Sequence, residues 1–311
     1  MNKKLNKKII FIPFYAQCPE HRQSASARIR AEWVAKYLPA DIINEKTKSI
    51  ELADYDFVIF QKCFSRKFIE IAKAIKQKNE NTKIGLDLCD PVWKQREREE
   101  EVKEMIDVVD FITVPTFKLE EEIYKIFNIL SFIIPDGHDL EYYKADQRKI
   151  HDKKIGIKYV WYGNSGTIKS LQAIMQYLED VSIKNDSLTI IADPLARDII
   201  KSKKLKIIFK EWKVDTVNDI VADCDISLNP KLNTKEYFFK SNNKTVMSYI
   251  LCVPCIDKNV KDEKEWKNIL IHLKNFTNRQ NDVKIKRDVL IKNYRIETIV
   301  SIWKNFINLY N

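Results

Sequence analysis

The sequence has no apolar run approaching the roughly 20 residues that a membrane-spanning helix requires, and its opening, MNKKLNKKIIFIPFYAQ, turns polar too early for a secretory signal. Short-period repeats and low-complexity linkers are also missing, which sets repeat architectures aside. Glycine is scarce, with five in 311 residues, so each position that keeps one carries weight. The six cysteines are too widely spread for a secreted disulfide framework in a chain of this length and read as reduced, mostly buried thiols. Together these absences point to a cytoplasmic globular protein.

What is present is enough apolar residue, 45%, and enough length for two domains of roughly 150 residues each. The excess of 54 Lys+Arg over 44 Asp+Glu gives +10, which suits a nucleotide, an anionic membrane surface or a nucleic acid. The lysines are scattered among Asn and Ile, so a merely solvated surface explains most of that charge.

Apolar, β-branched runs alternate with segments of helical period, the pattern of parallel strands joined by crossover helices. Strands are predicted at 8–14, 41–44, 57–61, 83–89, 111–115 and 132–135, and again, after a charged loop at 143–154, at 157–162, 188–192, 206–209, 226–229 and 253–257. The tail 295–310 reads as one amphipathic helix with Ile299, Trp303, Ile307 and Tyr310 on one face. The predicted fold is α/β, two Rossmann-like doubly wound domains (1–150 and 151–294) facing a cleft, with 295–311 crossing back onto the first. Ligands of such sheets bind outside the carboxyl ends of the strands. The loops of interest are therefore 15–25, 62–66, 90–93, 163–167, 193–195, 211–215 and 230–241.

Two segments carry chemistry. In KYVWYGNSGTIKSL a strand ends at Gly163 and a helix begins near Thr167. The glycines let backbone approach a phosphate, and the amides of Asn164, Ser165 and the helix start can donate to it. In EYFFKSNNKTVMSYILCVPCI, Ser241 or Asn242 can cap a helix that Asn243 opens, and Lys240 and Lys244 bring two charges to its N-terminus. Cations there oppose the helix dipole unless an anion is bound. An ordinary turn and a capped helix with solvated lysines are the plain alternatives.

Five segments in order, SASARIRAEWVAKYL, GLDLCDPVW, VDFITVPTFKLEEEI, FIIPDGHDLEYY and IIFKEWKVDTVNDIVADCDISLNP, resemble the large GT-B group of bacterial glycosyltransferases related to the retaining families (glycosyl transferases group 1, family 4-like). The resemblance covers nearly the whole chain. It implies a nucleotide-diphosphate sugar as donor, a UDP-sugar first, with no tightly bound cofactor and no required metal. It places phosphates near Gly163, Asn164, Ser165, Lys240, Ser241, Asn242, Asn243 and Lys244, and base and ribose near Asp193, Trp212 and Val214. Arg28 or Arg30, two apart on the first helix and so on different faces, is expected to reach the donor phosphates, and Asp87 and Asp90 to position the acceptor. Lys244 is expected to stabilise the leaving group. If the reaction inverts configuration, Asp90 is the candidate base and His21 the second. Well-known members carry two glutamates eight positions apart, the second five residues before a Gly-x-Pro turn. Here the turn is Cys252-Val253-Pro254, and Met247 stands at that position.

The implied acceptor is a hydroxyl of a glycan or lipid-linked glycan at the cytoplasmic face of a bacterial membrane, where a basic surface aids peripheral contact with anionic lipid. A modified base in DNA is the alternative acceptor, and a non-catalytic nucleotide- or sugar-binding protein the alternative class. Asp223-Cys224-Asp225 has a metal-binding form but opens a strand, at the end of the sheet away from the ligand. Cys252 and Cys255 join a helix to a strand and read as structural, since redox pairs open helices. His138 is assigned to a turn, and His151 and His272 have no visible partner.

Overall fold

The structure, a computed structural model, describes residues 7–43, 49–94, 98–148 and 156–310. It divides into two compact units: Met1–Asp139 with Phe238–Ser241 and Tyr294–Asn311, and Leu140–Tyr237 with Asn242–Asn293.

In the first unit the apolar runs form strands β1 (Ile9–Ile12), β2 (Asp41–Ile42), β3 (Phe57–Gln61), β4 (Lys83–Asp87), β5 (Phe111–Val114) and β6 (Phe132–Ile133). They pair in the order β2-β1-β3-β4-β5-β6, all parallel. Every position of β1, β3 and β5 is buried, as expected of strands covered on both faces. The crossovers use α1 (Ala25–Ala27), α2 (Trp33–Tyr37), α3 (Arg66–Lys78), α4 (Glu99–Ile106) and α5 (Phe117–Phe127). A π-turn, Arg28–Glu32, joins α1 to α2, so the predicted first helix is one run widened in its middle. Helix α5 has both stop signals: the Thr116 hydroxyl accepts from the Leu119 amide, and Asn128 ends it in the left-handed conformation.

The second unit holds β7 (Lys158–Tyr162), β8 (Ser187–Ala192), β9 (Lys206–Glu211), β10 (Ile226–Lys231) and β11 (Cys255–Asn259). Their order is β11-β10-β7-β8-β9, again all parallel. Its helices are α6 (Lys169–Gln172), α7 (Met175–Val181), α8 (Val217–Ala222), α9 (Lys235–Phe239, whose last two residues belong to the first unit), α10 (Asn243–Ile250), α11 (Glu263–Lys274) and α12 (Phe276–Tyr294). Trp161, Trp266 and Ile190 lie in its core.

After α12 the chain rejoins the first unit as α13 (Ile296–Ile307), capped by Arg295, with a 3-10 turn at Asn308–Tyr310. His138 fixes the return: its amide donates to the Tyr294 carbonyl, and its carbonyl accepts from the Ile296 amide. The turn assigned to His138 is therefore a fully buried junction, and burial pushes its imidazole down to about 4. The unfolded chain protonates this group near 6.5 and the folded chain does not, so stability is lost as pH falls from about 6.5 to about 4. We expect up to about 3 kcal/mol of acid-sensitive stability in that window. Urea unfolding at pH 7.5 and 4.5 measures it, and His138→Gln should flatten the difference between the two.

The strands depart from expectation at their ends. β1 stops at Ile12 because Pro13 precedes a 3-10 turn that begins at Phe14, β2 ends at Ile42, and β4 ends at Asp87. Asn44, residues 149–154 of the predicted linker and His151 lie outside the described residues.

Candidate functional site

Strand order in the first unit reverses between β1 and β3, and a doubly wound sheet takes its ligand at the carboxyl ends beside such a reversal. β1 delivers Phe14 and Tyr15, and a following turn, Pro19–His21, brings back His21, whose ring stacks on Phe14 at 5.0 Å. Arg22 lies 5.1 Å over the Tyr15 ring. β3 delivers Lys62, which donates to Asp90 at 2.8 Å. Burial opposes the Asp90 charge, but Lys62, helped by Cys89 and Lys240, outweighs it and holds the carboxyl below its ordinary range. A carboxylate so held is a poor proton acceptor. Asp90 is thus a counter-ion in this structure, not the free base expected from its position. His21, the second candidate, is exposed, with Glu20 at 4.0 Å.

Arg30 is also placed differently from the expectation. The π-turn turns it inward to 3% exposure, where it donates to Asp87 through Nε (2.8 Å) and Nη2 (2.5 Å), and through Nη1 to Asp136 (3.0 Å) and the Ile134 carbonyl (2.7 Å). The Thr113 hydroxyl donates to Asp87 and the Ser241 hydroxyl to Asp136, both at 2.6 Å. Burial works against the guanidinium, and the two carboxylates reverse that and hold it firmly charged. Arg30 and Asp87 therefore form a closed core cluster, unavailable to a phosphate or an acceptor. Arg28 is half-buried, 5.6 Å over the Trp33 ring, and donates to the Gln23 carbonyl.

The segment Phe238–Ser241 belongs to the first unit. Phe239 is buried in its core, under the Lys94 ammonium at 4.3 Å, and its carbonyl accepts from Thr116. Sequence reasoning missed this anchor, although the aromatic pair in EYFFK was its signal. Lys240 is exposed beside it. The expected side-chain cap of α10 is not made: Ser241 is committed to Asp136, and Asn242 occupies the N-cap without a side-chain bond.

In the second unit the order reverses between β7 and β10. The glycine loop after β7 is closed on itself. The Gly163 amide donates to Ile191, Asn164 to the Thr167 hydroxyl, Ser165 to Asp193 and Thr167 to the Asn164 side chain. A Cβ on Gly163 would meet the Trp161 ring at 2.7 Å, so this glycine permits close packing. The amides of Gly163, Asn164, Ser165 and Thr167 in the expected phosphate cradle are thus engaged within the protein. Asp193 caps its own turn through Leu195 and is held below its ordinary range first by the Ser165 amide. Trp212 is half-buried with its amide on Ala192, and the Val214 carbonyl accepts from Tyr142.

Lys244 is the second residue of α10, after Asn243. Its ammonium donates to the Tyr162 carbonyl at the end of β7 and lies 5.3 and 5.4 Å from the Trp161 and Tyr162 ring centroids. Its carbonyl accepts from the Tyr162 hydroxyl at 2.7 Å. A cation is thereby fixed at a strand end, in the first turn of a helix, beside the reversal.

The acidic pair flanking Cys224 serves the fold: Asp225 accepts from the Lys158 amide and Asp223 pairs with the Lys158 ammonium. Among the described residues no group of three or more His, Cys, Asp or Glu is placed to hold a metal ion, and no helix is long and apolar enough to cross a membrane. Cys252 and Cys255 are free and buried, and burial pushes the Cys255 thiol up to about 12. His272 is exposed beside Asn278.

Two parallel-sheet units, each with an order reversal, have the GT-B fold of solved glycosyltransferase structures. An α-glucosyltransferase in complex with UDP-glucose and DNA containing an abasic site matches at TM-score 0.65 and 9% identity, over 96% of this chain and 98% of that one. HepE from Anabaena, bound to UDP-glucose, matches at 0.65 and 10%, over 97% and 99%. A glycosyltransferase from Rickettsia africae matches at 0.66 and 10%, over 98% and 99%. No protein-family model matches the sequence, and no curated protein matches it by sequence.

Proposed function

We propose that this protein is a glycosyltransferase that moves a sugar from a nucleotide-diphosphate sugar, a UDP-sugar first, to a hydroxyl acceptor. The observation that carries the reading is Lys244. A cation in the first turn of a helix is disfavoured by roughly 0.3–1 kcal/mol, and its fixation against Tyr162 is repaid when a diphosphate arrives. Departure of the nucleoside diphosphate concentrates negative charge on phosphate oxygens, which a preorganised ammonium stabilises. The bond from the anomeric carbon to the diphosphate breaks, the bond to the acceptor oxygen forms, and the acceptor's proton passes to a departing phosphate oxygen. That route retains configuration and asks for no free carboxylate, which fits the engagement of Asp90. We assign leaving-group stabilisation to Lys244, with no metal ion required. Donor contacts are assigned to residues of 151–294 and acceptor contacts to residues of 1–150, with 295–311 crossing back.

For the acceptor we propose a glycan or lipid-linked glycan hydroxyl, reached from the cytoplasm with peripheral contact at the inner face of the membrane. A second reading, a modified base in DNA, is favoured by neighbours whose complexes contain DNA, and the +10 charge is compatible with it. A steep loss of duplex binding between 50 and 200 mM salt, on the order of 10³-fold or more, selects DNA, and salt-insensitive weak binding selects the glycan.

The direct test is calorimetry against UDP, GDP, ADP, CMP and their sugar conjugates, with Lys244→Met as comparison. We expect saturable binding of one diphosphate, weakened roughly 10- to 100-fold in Lys244→Met, the worth of one charge-assisted hydrogen bond. Absence of binding to all of them sinks the proposal. Tight binding without donor hydrolysis or transfer would leave a sensor instead of an enzyme.

A further inference from the structure

Lys62, at the carboxyl end of β3, has φ 56, in the left-handed region that a side chain enters at a cost of about 1 kcal/mol or more. Its side chain is 13% exposed, its amide donates to the Asp87 carbonyl, and its ammonium sits between Asp90 at 2.8 Å and the Phe14 ring at 4.8 Å. Backbone strain, desolvation of an ammonium and immobilisation of a four-carbon chain all oppose folding. One ion pair with a partly exposed carboxylate offsets little of that. Costs of this kind persist where function requires them.

Further cations act on this ion pair. Asp90 is the carboxylate on Lys62, while Arg98 and Lys240 add positive charge to the same pair. The nearby Asp87 is consumed by Arg30. Cys89 donates its thiol to Asp90 and is kept neutral by burial. The Lys62 ammonium is thereby a fixed cation at a strand end beside an order reversal, where a ligand of such a sheet is expected.

We propose that Lys62 is a substrate-binding residue, its ammonium held between the ends of β1 and β3 for a phosphate group, with Asp90 as the residue that positions it. The assignment deepens the glycosyl-transfer reading, which is what supplies a phosphate-bearing substrate, and it concerns a residue that the segment motifs did not single out.

The test uses the full chain, with inorganic phosphate and then UDP as probes, and reads the rise in melting temperature with ligand concentration. Lys62→Gly is the informative variant because glycine accepts the left-handed backbone. Its ligand-free melting temperature is expected at or above that of the wild type, while its affinity for phosphate falls at least tenfold. Lys62→Arg should retain part of that affinity. Repeating the comparison in a Lys244→Met background keeps the two lysines apart. Phosphate affinity within twofold of wild type in Lys62→Gly, or a ligand-free loss of more than about 5 °C, several times what a weak surface pair is worth, overturns the assignment. Lys62-dependent phosphate binding without any response to UDP would support Lys62 while removing the nucleotide-sugar reading.

Discussion

Replacing Arg30 with Met should destabilise the first unit by about 3–5 kcal/mol, the cost of removing one partner from a buried ion cluster. The side chains of Arg30 and Asp87 are 2% and 0% exposed and that of Asp136 is 9%, so removing the guanidinium leaves two carboxylates that water cannot reach. Thr113 and Ser241 supply one hydroxyl each, too little to neutralise two charges. For a unit of this size the loss corresponds to a fall of roughly 10 °C in melting temperature, read by circular dichroism or calorimetry. The double change Arg30→Met with Asp87→Leu should recover part of it, because two apolar groups of similar shape leave less charge stranded. A fall below about 1 kcal/mol in the single variant would show that the cluster is hydrated and that Arg30 is available to a ligand after all.

That outcome separates what the sequence discloses from what only packing decides. The strands were legible because a sheet covered on both faces needs uninterrupted apolar runs, and IIFI, FVIFQ and KYVWY are short, β-branched or aromatic runs of that kind. The tail helix was legible because Ile299, Trp303 and Ile307 repeat at helical spacing. The site was legible only as a set of strand-end loops. Within them, Arg30 faces inward because a π-turn shifts the helix register, and no local pattern in RIRAE announces it. The glycine loop matches a phosphate cradle by composition, yet Asn164, Thr167 and Asp193 engage three of its amides. Lys62 was legible only as the start of the 62–66 loop, because its left-handed backbone and its pairing with Asp90, 28 residues on, arise from adjacent strands meeting in space. The place of Lys244 in the first turn of a helix was legible from KSNNKTVMSYI, and its role toward a diphosphate is the proposal made above.

Trp303→Ala should cost about 3–5 kcal/mol, the range for removing a fully buried large aromatic. Trp303 is 1% exposed on α13 and meets the Phe11 ring edge-on at 5.7 Å. Phe306, one turn on, meets Phe111 at 4.8 Å and Phe132 at 4.5 Å. Through these contacts the last helix closes one face of the first sheet over β1, β5 and β6. The sheet is shaped to receive it. At Gly85 a Cβ would fall 2.2 Å from the Phe111 ring, and at Gly137 a Cβ would fall 2.6 Å from Ile296. Gly85→Ala should therefore cost roughly 1–3 kcal/mol by overpacking, in the direction of the cavity variant though from the opposite cause. In chemical denaturation both variants should lower the midpoint of the first unit, and the tryptophan change should do so more. Because Trp303 lies in the first unit and Lys244 in the second, calorimetry on folded Trp303→Ala should still find the diphosphate affinity of the wild type. A loss of that affinity at a temperature where the variant is fully folded would count against the assignment of the donor contacts to 151–294.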